Sequence, residues 1–430
     1  MRLSESIISV LLCASPLCAS AAFEWTGGTH PVLTEEVASS TGLEAVYVAS
    51  SVDGLSVTFV GDGAETAVWS RFSALGAGYA EQVATGSVLP SPEGDMGYVV
   101  EVAGRQYAFW LVDYSRHELS LSSVALSESQ SCGRVALDVS GSGDEIAYYS
   151  VNGRHFTLSR DITLEYRTLS YNDDLHGHGY RETPASETYE YLRPVLSAPA
   201  PLCSTDFTLS GDRFMKAWGR EAEVTSAAYE PVSVEARTTA EQEVRDASNE
   251  VNNPTGSLGG SAPCVVTFDA AVTDAAIFRE WQFSRTPDFD DISLHVSDLS
   301  FTYSFEEDGV TYVRFYCANS DASCDFYGET YEISIGESFL KCPNAFSPFN
   351  QDGVNDEWKV AYSSIVSFKC TIFNRSGHKI ASFSDPSQGW DGKNGGKFVP
   401  SGVYYYVIKA RGADGREYNL SGDINIVDYK

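Results

Sequence analysis

The sequence predicts an all-β protein, a series of β-sandwich domains ending in a small β-sandwich module. Three observations predict it. Apolar residues alternate with polar ones at a period of two, as in LSVTFVG (55 to 61), where Leu55, Val57 and Phe59 share one strand face. Hardly any stripe of helical period competes with that pattern. Turn pairs punctuate the strands: Asp53-Gly54, Asp308-Gly309 and Asp414-Gly415, and above all Asn152-Gly153 within EIAYYSVNGRHFTLSR (145 to 160). The Asn-Gly pair predicts a hairpin with a type I′ turn, because both residues tolerate the positive φ that this turn needs.

At 430 residues the chain has room for about three or four domains of roughly 100 to 150 residues. Residues 1 to 21 read as a signal peptide. Arg2 is a minimal basic start, and IISVLLCASPLCA (7 to 19) is apolar, too short to span a bilayer, and followed by small residues. Cys13 and Cys18 each follow a leucine, which does not suit lipoprotein processing. No later apolar run approaches membrane length, so an exported mature chain without an integral membrane segment is expected. Lys and Arg number 29 against 59 Asp and Glu, a formal charge of −30. That excess argues against nucleic acid or an anionic membrane as partner, since both require basic residues to meet phosphate.

Prolines and turn residues suggest the divisions 22–128, 129–200 and 201–338 for three β-domains, with a last module at 339–430. SAPAPLCS (197 to 204) reads as a linker and NEVNNPTGSLGGSAP (249 to 263) as a polar loop. TTAEQEVRDASNE (238 to 250) is compatible with a short helix or a solvated loop. Charge sets the ending apart. Residues 339–430 carry 11 Lys and Arg against 9 Asp and Glu, a balance of +2, whereas the rest of the mature chain stands at −32, with 17 against 49. The mature chain keeps seven cysteines, an odd number. Cys317 and Cys324 form the best local pair for a disulfide, across a short turn; Cys132 with Cys203 and Cys342 with Cys370 are further possibilities.

GSAPCVVTFDA, REWQFSRTPDF and DGVTYVRFYCANSDASCDFYGETYEISIG, within 260 to 336, resemble a polycystic-kidney-disease-type immunoglobulin-like domain. The resemblance lies in Gly260 and Pro263, in Trp281 and Phe283, and in the terminal strand pair. Alternation agrees independently: Val313, Phe315 and Cys317 share a face, as do Tyr331, Ile333 and Ile335, and Trp281 is expected to fill the core between the sheets.

CPNAFSPFNQDGVNDEW (342 to 358), FKCTIFNRSG (368 to 377), GWDGK (389 to 393) and FVPSGVYYYVIKA (398 to 410) together resemble the gliding-motility-associated C-terminal domain, the type B sorting domain of type IX secretion substrates. The positions that match its motifs are Pro343, Asn344, Phe346, Asp352, Gly353, Asn355, Asp356, Asn374, Arg375, Gly377, Trp390, Asp391, Gly392, Gly402 and Tyr404. Ser376 stands where the family commonly has tryptophan, and SPFNQDGVND is one residue longer than usual. The resemblance implies an export address read by the type IX machinery in the periplasm and outer membrane. GVYYYVIKA is apolar on both faces, with Val403, Tyr405 and Val407 opposite Tyr404, Tyr406 and Ile408, which predicts a central strand covered on both sides.

Chemistry beyond that is sparse. NQDGVND (350 to 356) gathers oxygens around a glycine turn, but alignment on an EF-hand puts Pro348 and Lys359 at ligand positions and excludes that loop. A looser calcium site on Asp352, Asn355 and Asp356 stands beside an Asx turn as the alternative. NDDLHGHGY (172 to 180) places His176 and His178 beside Asp173 and Asp174, without a third ligand at recognisable spacing. No zincin, nucleophile-elbow or phosphate-loop motif occurs, so no catalytic residue and no cofactor are expected. The expected role is a non-catalytic surface or secreted protein for adhesion, envelope structure or ligand display. A carbohydrate-binding or carbohydrate-degrading cargo is the alternative, with Trp25, Trp69, Trp110 or Trp218 as a sugar platform. Exposed tryptophans beside carboxylates would favour the latter, and buried ones the former.

Overall fold

The computed structural model describes residues 22–128, 130–172, 179–245, 247–252 and 258–427, nearly all of them strands and turns. The segment 1–21, read above as a signal peptide, and the pair His176 and His178 lie outside the described residues.

In the first sandwich a three-stranded sheet (Ala22–Thr26, Ser56–Val60, Val88–Pro90) faces a six-stranded one. Leu55, Val57 and Phe59 are buried between them, as the alternation predicts. Two strands of the larger sheet, Ala45–Ala49 and Arg105–Asp113, run parallel, the first buried throughout and the second from Ala108 onwards. Their continuous apolar character has a simple cause, since both faces are covered. Tyr47, Phe109 and Leu111 enter the first sandwich's own core, whereas Val46, Val48, Trp110 and Val112 join a second core that continues into the next domain.

That next domain pairs Ser120–Leu126, Arg134–Ser142 and Val195–Pro199 in one sheet, and Gly179–Tyr189, Ile162–Asn172, Thr208–Gly211 and Ala222–Thr225 in the other. The expected divisions at 128/129 and 200/201 therefore both fall inside this second sandwich. The proline-rich stretch is not a linker. Val195–Pro199 is an edge strand bonded only to Arg134–Ser142, and an edge tolerates a residue without an N–H. The predicted hairpin forms, Ile146–Tyr149 against His155–Leu158, but its turn differs. Only Gly153 of the Asn-Gly pair has positive φ, and its N–H donates to Ser150 O. Val151 is drawn out of the ladder by the first sandwich: its N–H donates to Thr41 O and its carbonyl accepts from Ala77 N. The short helix Arg213–Ala217, capped by Asp212 on the Met215 N–H, is too brief to show a helical period.

The third sandwich combines Ala236–Gln242, Cys264–Val272 and Ser300–Phe305 with a five-stranded sheet that runs Leu258–Gly260, Asp325–Ile335, Gly309–Ala318, Phe278–Ser284, Ile292–Val296. Residues 236–242 pair with Cys264–Val272 as a strand, so the first part of the segment read as helix or loop is neither. Trp281 is fully buried against Phe268 and Phe315, as expected of a core filler.

The proposed Cys317–Cys324 disulfide is corrected. Cys324 is bonded to Cys132, 192 residues away in the second sandwich, with Cα atoms 5.4 Å apart. Cys317 lies opposite Phe326, not Cys324, and its side chain is buried in the core beside Val313 and Phe315. Neither Cys203, Cys342 nor Cys370 is disulfide-bonded, so the other two pairings do not form either.

The C-terminal module is built on a five-stranded sheet in the order Ala345–Phe346, Glu417–Ile426, Gly402–Gly412, Ile365–Phe373, Lys379–Phe383. Gly402–Gly412 is central, as predicted, but only one of its faces is covered. Tyr404, Ile408 and Ala410 are buried with Trp358, Trp390 and Ile424, whereas Val403, Tyr405 and Val407 face solvent. The short strands and loops of the module form a single layer over the inner face, too little chain to cover both.

Candidate functional site

Three of the sorting-motif positions, Phe346, Trp390 and Tyr404, meet in the core of this module, and the others lie in its turns and loops or, as Gly402, at the start of a strand. The Trp358 and Trp390 backbones exchange two hydrogen bonds, of 2.9 and 3.0 Å. Their indoles turn inward, with Nε1 donating to Pro343 O and Lys393 O respectively. Phe346 packs on Trp390 with ring centroids 5.4 Å apart, and Asn344 O accepts from the Asn425 backbone and side chain. Tyr404 donates its hydroxyl to Pro400 O, which fixes the chain just before the central strand. Gly392 has φ +75°, and a Cβ there would lie 2.8 Å from Pro348, so the turn that delivers Trp390 needs glycine.

Asn374 folds the FNRSG turn. Its Oδ1 accepts from the N–H groups of Ser376 and His378, and Gly377 follows at φ +79°. Arg375 is exposed. Asp391 accepts from both the backbone and the side chain of Lys393. Partial burial pushes its carboxyl up, but those hydrogen bonds hold it below the usual range. Gly402 opens the central strand at φ +143°, outside the range of ordinary side chains.

In the 350–356 loop, Asp352 Oδ1 accepts from Val354 N and Asp356 Oδ2 from Gly353 N, at 2.9 and 2.8 Å. The first of these is the Asx turn considered from sequence. Asn355 takes φ 55° and its carbonyl accepts from Ser347 N. Among the described residues no three His, Cys, Asp or Glu side chains gather as a metal site.

The module meets the third sandwich through polar contacts that the sequence does not announce. Ser364, fully buried, receives the Ala262 N–H on its Oγ, donates that Oγ to Gly336 O, and gives its own N–H to Ser261 Oγ. Asn249 reaches across with Nδ2 to Val360 O and Pro386 O, at 2.7 and 2.8 Å, beside a backbone bridge between Glu250 and Tyr362. Ser338, in the connecting segment, bonds to Asp414 and Tyr418. A cleft of about 620 Å³ runs along this junction, between Arg245, Tyr362 and Phe368.

Two of the free cysteines, Cys317 and Cys370, are buried in the cores. Burial pushes the Cys317 thiol up to about 11, and burial with the neighbouring Cys342 pushes Cys370 up to about 12. Neither is a thiolate near neutral pH. Trp69, Trp110 and Trp218 are buried, and Trp25 is packed on Tyr47 and Phe109. No tryptophan lines the junction cleft or the two clefts of about 500 and 490 Å³ on the third and second sandwiches. No helix among the described residues is long and apolar enough to cross a membrane.

Residues 340–426 match the CHU_C Type IX secretion signal domain. Residues 124–226 match the Fibronectin type III domain, the second sandwich as the strands delimit it. An export signal thus follows tandem immunoglobulin-like sandwiches, which places the chain among proteins sent to the cell surface or beyond. Comparison with curated proteins yields no match. Similar solved structures include a tetra-tandem repeat from the extending region of a large adhesion protein, 12% identical over 88% of this chain and 96% of that one, with a TM-score of 0.21. Dimeric latent PorU from Porphyromonas gingivalis is 10% identical over 75% of this chain and 35% of that one, TM-score 0.16. The fibronectin(III)-like modules of Clostridium thermocellum CbhA are 11% identical over 41% and 94%, TM-score 0.18.

Proposed function

We propose that this chain is a cargo of type IX secretion. Its signal peptide takes it to the periplasm, its last module is the address that the translocon reads, and its acidic sandwiches work outside the cell without catalysis, in adhesion, envelope structure or ligand display. The observation that carries the reading is the module itself, matched over its whole length to a secretion signal and built around its own core.

Two features support a mechanical or display role for the body over a carbohydrate-acting one. Of the candidate platform tryptophans, Trp69, Trp110 and Trp218 are buried in the cores, and the partly buried Trp25 is packed on Tyr47 and Phe109. Its domains are also fastened to one another: a continuous apolar core joins the first two and the Cys132–Cys324 disulfide ties the second to the third.

The test compares the full chain with a version ending at Gly336, by cell fractionation and protease accessibility at the surface. The full chain is expected outside and the shortened, folded chain in the periplasm. Equal distribution of the two would refute the address.

A further inference from the structure

The large motif side chains of the module, Phe346, Trp390 and Tyr404, are buried, and its exposed motif residues, Asp352, Asn355 and Arg375 among them, lie in turns, so a partner that reads a sheet face of the folded module touches other side chains. The outer face of Gly402–Gly412 offers them. Val403, Tyr405 and Val407 occupy successive outward positions and are 44, 43 and 43% exposed. Among the described residues no other strand carries three exposed large apolar side chains. The next outward position is Lys409, and directly opposite it on Ile365–Phe373 stands Lys369.

Folding alone does not favour this arrangement. The solvated face of an antiparallel sheet is ordinarily polar, and like charges directly opposite each other destabilise a strand pair. An apolar stripe ending in a lysine pair has the composition of a binding surface. Charge argues for the kind of partner. The body stands at −32 and the module at +2, so an acidic partner is repelled along most of the chain and meets a favourable field at this end.

We infer that this sheet face is where the export machinery grips the module, by a protein surface with an apolar ridge flanked by carboxylates. The inference rests on the export reading above. The ridge lies along Val403, Tyr405 and Val407 and the carboxylates meet Lys369 and Lys409.

The test uses the full chain in its own cells. One variant carries Tyr405→Ser and Val407→Thr, a second Lys369→Glu and Lys409→Glu, and a control carries Ile277→Ser and Phe278→Ser on the exposed part of the third sandwich. Wild type and the chain ending at Gly336 run beside them, and thermal melts of the purified proteins report folding. Both face variants are expected to remain folded in the periplasm, with the surface fraction lowered about tenfold or more, the loss of about 1.4 kcal/mol of binding; the control is exported normally. Should the apolar variant not fold, the charge variant alone decides, since it alters only solvated ends. Normal export of the folded face variants, while the chain ending at Gly336 stays inside, overturns the inference and leaves the export reading intact. Export of the shortened chain removes the reading itself. If the purified chain dimerises through this face, or binds phosphatidylglycerol vesicles through it, the occupant is a second copy or a lipid surface, and the inference is overturned.

Discussion

The two ends of the molecule are joined to their neighbours in opposite ways. Between the first and second sandwiches the junction is a hydrophobic core, with Val46, Val48 and Trp110 of one domain in the same cluster as Leu119, Ile146 and Tyr148 of the other. Beside it sits a fully buried ion pair, Arg160 with Nε 2.9 Å and Nη2 2.8 Å from Asp212 Oδ2, shared with the Tyr114 hydroxyl. The Trp218 indole donates to Pro31 O across the same seam. Between the third sandwich and the secretion module the contacts are hydrogen bonds of Ser261, Ser364, Asn249 and Ser338, with Val366 and Ala413 as the module's apolar share. An apolar core cannot be divided without exposing both halves, whereas polar groups can exchange protein for water at modest net cost. The first two domains are therefore one cooperative unit, and the module is a separable one.

The comparison can be broken most severely at Arg160. Arg160→Ala leaves the Asp212 carboxylate buried and unpaired, at a cost of about 3–5 kcal/mol, and the first and second sandwiches should lose stability together in a single denaturant transition. Two separate transitions would contradict the shared core. Next is the covalent tie between the second and third sandwiches. Replacing Cys132 and Cys324 by serine, or reducing them, is expected to cost about 2–4 kcal/mol and to raise protease cleavage near residue 232, with the melting of the module unchanged.

Smaller effects belong to the polar junction. Asn249→Ala removes the bonds to Val360 O and Pro386 O and should cost about 1–2 kcal/mol. Its signature is a module that melts further apart from the body in calorimetry. Acid sharpens the same seam. The Asp414 carboxyl is pushed up by partial burial, but Ser338 and the Arg416 N–H hold it below its ordinary value. Its contribution is then complete above the ordinary carboxylate value of about 3.8 and disappears as pH falls through the lower folded value. Asp414→Asn should flatten that part of the pH–stability curve of the module, lowering its neutral-pH melt slightly and leaving the melt below that window nearly unchanged.

Much of this was legible in the sequence because it is local. Alternation placed Leu55, Val57 and Phe59 on one buried face, turn residues marked the hairpin at 152–153, and four short motifs identified the ending. What escaped is long-range. Cys132 and Cys324 lie 192 residues apart, and no spacing rule relates cysteines of different domains. Val151 left the predicted turn for a contact with another domain. The apolar run of the central module strand suggested two covered faces, when its outward half is exposed; sequence reports hydrophobicity but not whether anything lies above it. Asn249 and Ser364 carry no signal beyond loop polarity, and only the folded chain brings them to the junction.

The central claim is that the last module alone carries the export address. The most direct measurement is transfer: residues 337–430 fused behind a folded periplasmic reporter that has its own signal peptide, with surface protease accessibility as readout in cells with an intact type IX system. The account predicts that the reporter appears outside the outer membrane and returns to the periplasm when the module is removed. A reporter that stays periplasmic with its module folded would contradict it.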